Sequence, residues 1–495
     1  MANEYEQARR RKADILRQKG LDPFGHRYPD TIGADEARRR YETVGDGAPA
    51  RVAGRLTALR EFGKLVFADL SDRTGHIQLA FSKKVLSEND WERVKLLDLA
   101  DWVGAEGRLV TTRTGEITVE VAAFDILTKA LLPPPEKWHG LQDVEARYRR
   151  RYVDLLANPE VREVFLKRSL ILEEVRGFLH ERGFVEVETP VLQPIYGGAA
   201  ARPFVTHHNT LDTDFYLRIS PELYLKRLLV GGMDRVFEIS RVFRNEGIST
   251  RHNPEFTLLE LYQAYADYTD MMEIVETLLE HLARTVSGGK TCLPFGDVEL
   301  EYKAPWRRAR YADLLEEHAG LALGDEPGIR QKARELGIDE GGKHLDVVTH
   351  DVFEATVEPH VIQPTHVCDW PARLCPLTKR KADYPDIAER FEPMVAGMEI
   401  GNAYTELNDP DVQQEALGIQ LAGQDETMAV MDTDFLEALK HGMPPAGGLG
   451  IGIDRLVMLL VNASSIRDVV LFPALRPRGG ADGTGGQAPD ADEAS

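Results

Sequence analysis

Three consecutive prolines, Pro133–Pro135 in LLPPPEKWHG, divide this chain more sharply than any other feature. Proline lacks an amide donor and holds the residue before it away from helical geometry, so neither a helix nor a central strand can run through the segment. It reads as a semi-rigid linker over 131–146, with separate folding units on either side. The length of 495 residues agrees, since one hydrophobic core rarely serves a chain of that size.

Before the linker, 1–50 alternates charged helical clusters with a Pro-containing loop and ends in the Gly- and Pro-rich ETVGDGAPA, which predicts an N-terminal helical extension. From 51 to 130, five short alternating runs (RVAGRLTAL, KLVFADLSD, GHIQLAFS, WVGAEGRLVTT, EITVEVAAFDIL) are separated by turn residues. Five strands at that spacing predict an all-β OB-fold barrel, a common binder of single-stranded nucleic acid. After the linker, 147–477 mixes helices and strands without a regular βαβ rhythm, so an antiparallel α+β domain is expected. The last segment, 478–495, has too little apolar surface to offset ordering entropy and is expected to be disordered.

Composition excludes some classes. Hydrophobic residues make up 43%, yet no apolar run approaches the roughly 18 residues of a membrane helix. The start is Arg-rich, but Glu4, Glu6 and Asp14 interrupt it and no apolar core follows, so it reads as a basic amphipathic helix. Cys292, Cys368 and Cys375 form neither a CxxC pair nor an even set, which fits a reducing cytoplasm. The net charge of -21 argues against a nucleic-acid partner until its distribution is considered. Residues 1–150 hold 26 Lys+Arg against 24 Asp+Glu, while the remainder holds 34 against 57, so the first third is the expected RNA-facing region.

Two glycine patterns imitate nucleotide-binding loops. GGKT at 288–291 follows a helical segment and has Arg284 where a phosphate loop needs glycine. Gly448, Gly450 and Gly452 in GGLGIGIDR lie too near the carboxyl end for a dinucleotide fingerprint. A more specific pattern is RVFEISRVFRNEGISTRHNPEFTLLELYQAYADY, two alternating strands joined by a polar loop. It resembles motif 2 of the class II aminoacyl-tRNA synthetases, while GFVEVETPVLQ resembles motif 1 and GLGIGIDRLVMLL motif 3. Within that class, PIYGGAAARPF, PELYLKRLL and EIGNAYTELNDP are similar to the lysyl-tRNA synthetase family. The resemblance implies lysine activation by ATP, transfer to tRNA(Lys), Mg2+ as cofactor and a homodimer, and the lack of a long apolar run predicts no membrane partner.

Strand alternation puts Phe256, Leu258, Glu260 and Tyr262 on one face, and the same parity in GNAYTEL groups Asn402, Tyr404 and Glu406. An inward carboxylate needs a charge partner or hydrogen bonds, which a ligand ammonium supplies. The resemblance implies that Glu260, Tyr262 and Glu406 hold the lysine ε-ammonium, with Tyr404 as an aromatic wall. It further implies Glu222 and Gly198 at the α-amino group, and Arg244 and Asn402 at the carboxylate. NAYTE departs from the commoner bacterial NGFSE, so Tyr404 adds a hydroxyl. For ATP, the resemblance implies Arg244 as α-phosphate clamp, Arg455 near the γ-phosphate, His252 near the phosphate tail, and Phe256 on adenine beside Glu246. Arg244 and Arg455 are then the catalytic pair. Glu392 and Glu399 match the magnesium ligands, with Glu392 also at ATP, although strict alternation puts Glu399 opposite Glu406. Asp454 is expected to cap a helix beginning at Arg455. In the barrel, Arg55, Phe67 and Gln78 are candidates for pairing with or stacking on anticodon bases, with barrel core the equal alternative for Phe67.

Overall fold

The computed structural model describes residues 4–135, 141, 143–422 and 431–476. The segment 478–495 lies outside the described residues, as do 136–140 and 142 of the linker. The chain forms two compact units, 1–143 with 152–157, and 144–151 with 158–495.

In the first unit, β1 (Pro49–Phe62), β2 (Leu65–Ser71), β3 (His76–Ser82), β4 (Trp102–Thr111) and β5 (Ile117–Thr128) close a barrel in the order β1-β2-β3-β5-β4. All neighbours are antiparallel except β3 and β5. The alternation legible in the sequence becomes an inside and an outside. Along β2, Val66, Ala68 and Leu70 fill the barrel while Leu65, Phe67 and Asp69 face outward. Leu16, Ala34 and Ala37, from helices Glu4–Gln18 and Ala34–Val44, join the same hydrophobic cluster, so residues expected as a separate extension share the barrel's core. Arg9 tethers the first helix by donating to Leu99 O at 3.0 Å and Ala130 O at 2.8 Å. Helix Glu88–Val94, capped by Ser87, follows β3 without having been legible as alternation.

The second unit is built on a nine-stranded sheet. Its path runs Arg307–Arg310, Thr365–Pro371, Ile387–Val395, Gly401–Thr405, Ala446–Gly452, Glu255–Ala264, Arg235–Phe243 and Val185–Glu186, with Met398–Glu399 paired to Ile387–Val395. Pairings are antiparallel except at the two ends of the path, which satisfies the α+β expectation. Helices Pro159–Glu181, Tyr268–Ser287 and Ile453–Val461 bury their apolar stripes in one cluster with the sheet, Leu259 and Leu261 included. Helix Tyr268–Ser287 starts at a capping box of Asp267 and Asp270 and ends at Gly288, whose φ of +73° favours glycine. GGKT is thus a helix terminus. Three helices, Tyr311–Ala319, Glu326–Glu335 and Leu345–Thr356, form a second cluster around Trp370. Among the described residues no helix is long and apolar enough to cross a membrane.

Because Leu259 and Leu261 point to the helices, the opposite parity of that strand is left for a cavity.

Candidate active site

That cavity occupies about 470 Å³ within the second unit. Phe256, Leu258, Glu260 and Tyr262 all line it, as period-2 geometry requires. The pairing Glu238↔Glu260 and Ser240↔Leu258 sets the hairpin register, and Glu260↔Gly450 and Tyr262↔Gly448 set that of the next strand.

Carboxylates concentrate at one end. Glu260 is buried and accepts from Ser220 Oγ at 2.7 Å and Tyr262 Oη at 3.2 Å, but no ion pair reaches it among the described residues. Burial, reinforced by the charge of Glu222, pushes its carboxyl up to about 8. Glu222, at the start of helix Glu222–Val230, also lines the cavity and accepts from Tyr404 Oη at 2.6 Å, so the extra hydroxyl at 404 has a defined partner. Gly198, at φ +86°, brings backbone to the same wall; a Cβ there would meet Ser220 Oγ at 3.0 Å and Glu222 Cβ at 3.1 Å.

Glu406 differs from its expected role. It lies beyond the Gly401–Thr405 strand, is fully buried, and does not line the cavity. Its Oε2 is 2.5 Å from Lys226 Nζ, whose other carboxylate partner is Glu222 Oε1 at 2.7 Å. Burial opposes charge on Lys226, but the two carboxylates outweigh it and raise its pKa, so the ammonium persists. The chain itself therefore supplies a cation where a ligand was expected. ELYLK, which spaces Glu222 and Lys226 at i,i+4, was the available signal.

The glycines of Ala446–Gly452 separate into two kinds. A Cβ on Gly447 would lie 2.7 Å from Asp267 O, and one on Gly448 would overlap Glu406 Oε1 and approach Tyr262 Cε1 to 2.6 Å. These two are required by packing. Gly450 and Gly452 line the cavity with nothing closer than 3.7 Å to such a Cβ, so there the backbone is open to a ligand.

At the other end, Arg244, Glu246, His252, Phe256, Glu399 and Arg455 line the cavity. The Arg244 guanidinium sits 5.1 Å from the Phe256 ring centroid and has no ion-pair partner among the described residues. Arg455 donates to Glu399 O at 2.7 Å and Oε2 at 3.1 Å, and its Nη2 lies 3.0 Å from His252 Nε2. Burial and the Arg455 charge lower the His252 pKa, which favours the neutral imidazole. Glu399 reaches the cavity because the strand is interrupted. Met398–Glu399 turns back on Met394–Val395, Ile400 N bonds Pro393 O at 3.0 Å, and Gly401–Thr405 pairs separately with Ala446–Gly452. Parity restarts, and Asn402 and Tyr404 share the cavity with Glu399.

Glu392 does not line the cavity. It is buried behind Arg390, which does, and the two side chains are ion-paired. Burial, opposed by Arg390 and aided by Glu399, raises the Glu392 carboxyl to about 8. Asp454 does not cap the following helix, which begins at Ile453 with Gly452 as N-cap. Its carboxylate instead accepts from Thr257 N at 2.7 Å and pairs with Arg168 at 2.6 Å, fastening that helix to the sheet. Ser220 and Arg390 were not identified from the sequence, since nothing local marks either as facing a carboxylate.

In the barrel unit, Arg55, Phe67 and Gln78 are partly exposed on outward positions of β1, β2 and β3, which removes the core alternative for Phe67. Register places Phe67 opposite Arg60 and Gln78 opposite Asp69, while Arg55 lies 4.8 Å from the Trp102 ring centroid.

Comparison with known proteins matches 143–476 to a family of class II tRNA synthetases (D, K and N), and 50–127 to the OB-fold nucleic acid binding domain. The chain is 48% identical over 483 residues to the lysine–tRNA ligase of Moorella thermoacetica, covering 96% of this chain and 98% of that protein. It is 49% identical over 485 residues to that of Pelotomaculum thermopropionicum (96% of each), and 47% over 496 residues to that of Dehalococcoides mccartyi (97% and 99%).

Proposed function

Because the chain belongs to the class II tRNA synthetases of the D, K and N group and ligates lysine to tRNA with ATP, we propose that Glu260 is the principal receptor for the lysine ε-ammonium. One observation carries this reading: Glu260 is a buried, cavity-facing carboxylate without a cation of its own among the described residues. Tyr262 supports the same ammonium, and Glu406 acts on it only through Lys226. The α-amino group lies against Glu222 and Gly198, beneath the Tyr404 ring, and the carboxylate against Arg244 and Asn402. Aspartate or asparagine would leave Glu260 unpaired, so repulsion and desolvation reject them.

The lysine carboxylate is itself the nucleophile. Its oxygen attacks the α-phosphorus of ATP, the bond to the bridging oxygen breaks, and pyrophosphate leaves with those electrons. Arg244 holds the α-phosphate as charge builds there, Arg455 and neutral His252 hold the phosphate tail, and Phe256 beside Glu246 receives adenine. The terminal ribose hydroxyl of tRNA then attacks the lysyl carbonyl and AMP departs.

Glu392 and Glu399 suit Mg2+: each has one oxygen engaged by a guanidinium, through Arg390 and Arg455, and the other oxygen is a hard donor. Such an ion would neutralise phosphate charge, and Glu392 would serve ATP as one of the two residues holding it. On the barrel, Arg55, Phe67 and Gln78 form a platform for anticodon bases. The cysteine pattern supports a reducing, cytoplasmic location.

The first test is lysine-dependent ATP–pyrophosphate exchange beside ornithine, arginine, aspartate and asparagine. Lysine is expected to dominate, with Glu260→Gln raising its KM strongly. Since burial pushes the Glu260 carboxyl up to about 8, it must lose a proton before it pairs with an ammonium. kcat/KM for lysine therefore rises with pH up to about 8 and then levels off, by at most about tenfold per pH unit. A flat profile between pH 6 and 8, or an unchanged KM in Glu260→Gln, refutes the assignment.

A homodimer is the assembly we propose. Within the segment that resembles motif 1 and the helix before it, Leu166 is 55% exposed and Val185 and Leu192 are 51% and 47% exposed, apolar side chains expected to be covered by a second copy. Sedimentation at micromolar concentration should give twice the 55.4 kDa chain mass; a species at the chain mass would overturn this.

A further inference from the structure

We propose that Lys226 is a positioning residue for lysine selection, the resident cation that neutralises one of the carboxylates around the amino-acid end of the cavity and leaves charge for two substrate ammonium groups. The proposal rests on the lysine pocket described above.

Glu222, Glu260 and Glu406 gather there, all buried. Lys226, one helical turn beyond Glu222, is fully buried with Nζ between Glu222 Oε1 and Glu406 Oε2 at 2.7 and 2.5 Å. It stands 5.5 Å from the Tyr404 ring centroid, and Tyr404 Oη donates to the same Glu222 oxygen. Neither Lys226 nor Glu406 lines the cavity, whereas Glu222, Glu260 and Tyr404 do. The ion pair is thus the floor beneath the pocket.

Charge accounting gives this floor a purpose. Without Lys226 the three carboxylates would confront a ligand that brings only two ammonium groups, since its own carboxylate is matched by Arg244. With Lys226 the remaining charge equals that of lysine's α- and ε-ammonium groups. Stability alone is a weak reason for such a pair, because apolar residues of similar volume often serve a core as well. Lys226 also holds one Glu222 oxygen, so the carboxylate that meets the α-amino group is fixed before substrate arrives.

The test is lysine-dependent exchange by Lys226→Met, with Lys226→Met/Glu406→Gln and Glu260→Gln beside it. Lys226→Met should raise the lysine KM by about thirtyfold, because a buried carboxylate loses its partner, and leave the ATP KM unchanged. Its lysine profile should also become more steeply pH-dependent, as Glu406 loses the cation that opposes the effect of its burial. The double variant, lacking both charges, should recover most of the lysine KM, and it remains a test if the single variant does not fold. A folded Lys226→Met with wild-type lysine KM and pH profile, however low its Tm, overturns the proposal. So does a folded double variant without recovery. Should Glu260→Gln raise the lysine KM while Lys226→Met does not, only the Lys226 proposal fails. An unaffected Glu260→Gln would instead remove the pocket reading beneath it.

Discussion

Replacing Arg244 by alanine should lower kcat/KM for lysine-dependent exchange by about a thousandfold, close to 4 kcal/mol of transition-state stabilisation. Two observations and one proposed contact set that size. The guanidinium lines the cavity between the carboxylate cluster and the Arg455–Glu399 pair, and no ion pair occupies it among the described residues. It rests against the Phe256 ring, 5.1 Å from its centroid, which limits its motion without using its donors. Its proposed partners are the lysine carboxylate and the α-phosphate, the two groups between which the new bond forms. Arg244→Lys keeps charge but loses the planar fork, and should fall between the two, at about thirtyfold below wild type. Single-turnover adenylate formation isolates the step. A loss confined to the KM for lysine, with the rate at saturation unchanged, would show that Arg244 binds substrate without assisting reaction.

Gly448→Ala should raise the lysine KM by about a hundredfold through a misplaced pocket floor, although residue 448 offers no functional group. The added methyl would overlap Glu406 Oε1 and come within 2.6 Å of Tyr262 Cε1. Neither neighbour yields easily. Glu406 is held by Lys226 at 2.5 Å, and Tyr262 donates to Glu260 at 3.2 Å. The backbone cannot retreat, because Gly448 pairs with Tyr262 on one side and Tyr404 on the other. Overpacking of this kind costs about 1–3 kcal/mol, so denaturant midpoints should fall as well. Gly450→Ala is the control. A Cβ there meets nothing closer than 3.8 Å and projects toward the open cavity, so stability should persist while ligand binding suffers. Equal stability in both variants would refute the packing argument.

Much of this architecture was legible in the chain. Five alternating runs announced the barrel, and one hairpin announced that Phe256, Leu258, Glu260 and Tyr262 share a face. Such readings succeed because side-chain orientation within a continuous strand is a local property with a period of two. They failed where continuity failed. Strict alternation by itself puts Glu399 on the wrong side because the turn after Val395 restarts the count, and Glu88–Val94 was missed because seven residues carry too little periodicity.

What the sequence determined by itself was the five strands of the barrel, the order of the two units and which residues could face a ligand. What only tertiary structure decided was which of those charges were already taken. Glu222 and Glu406 stand 184 positions apart and share Lys226, Asp454 is committed to Arg168 and Thr257, and Glu392 is committed to Arg390. Of the buried carboxylates that line the cavity, Glu260 is the one without an ion pair among the described residues. The reason is that a buried charge is satisfied through space within about 4 Å, and close approach between distant segments is set by packing rather than by local pattern.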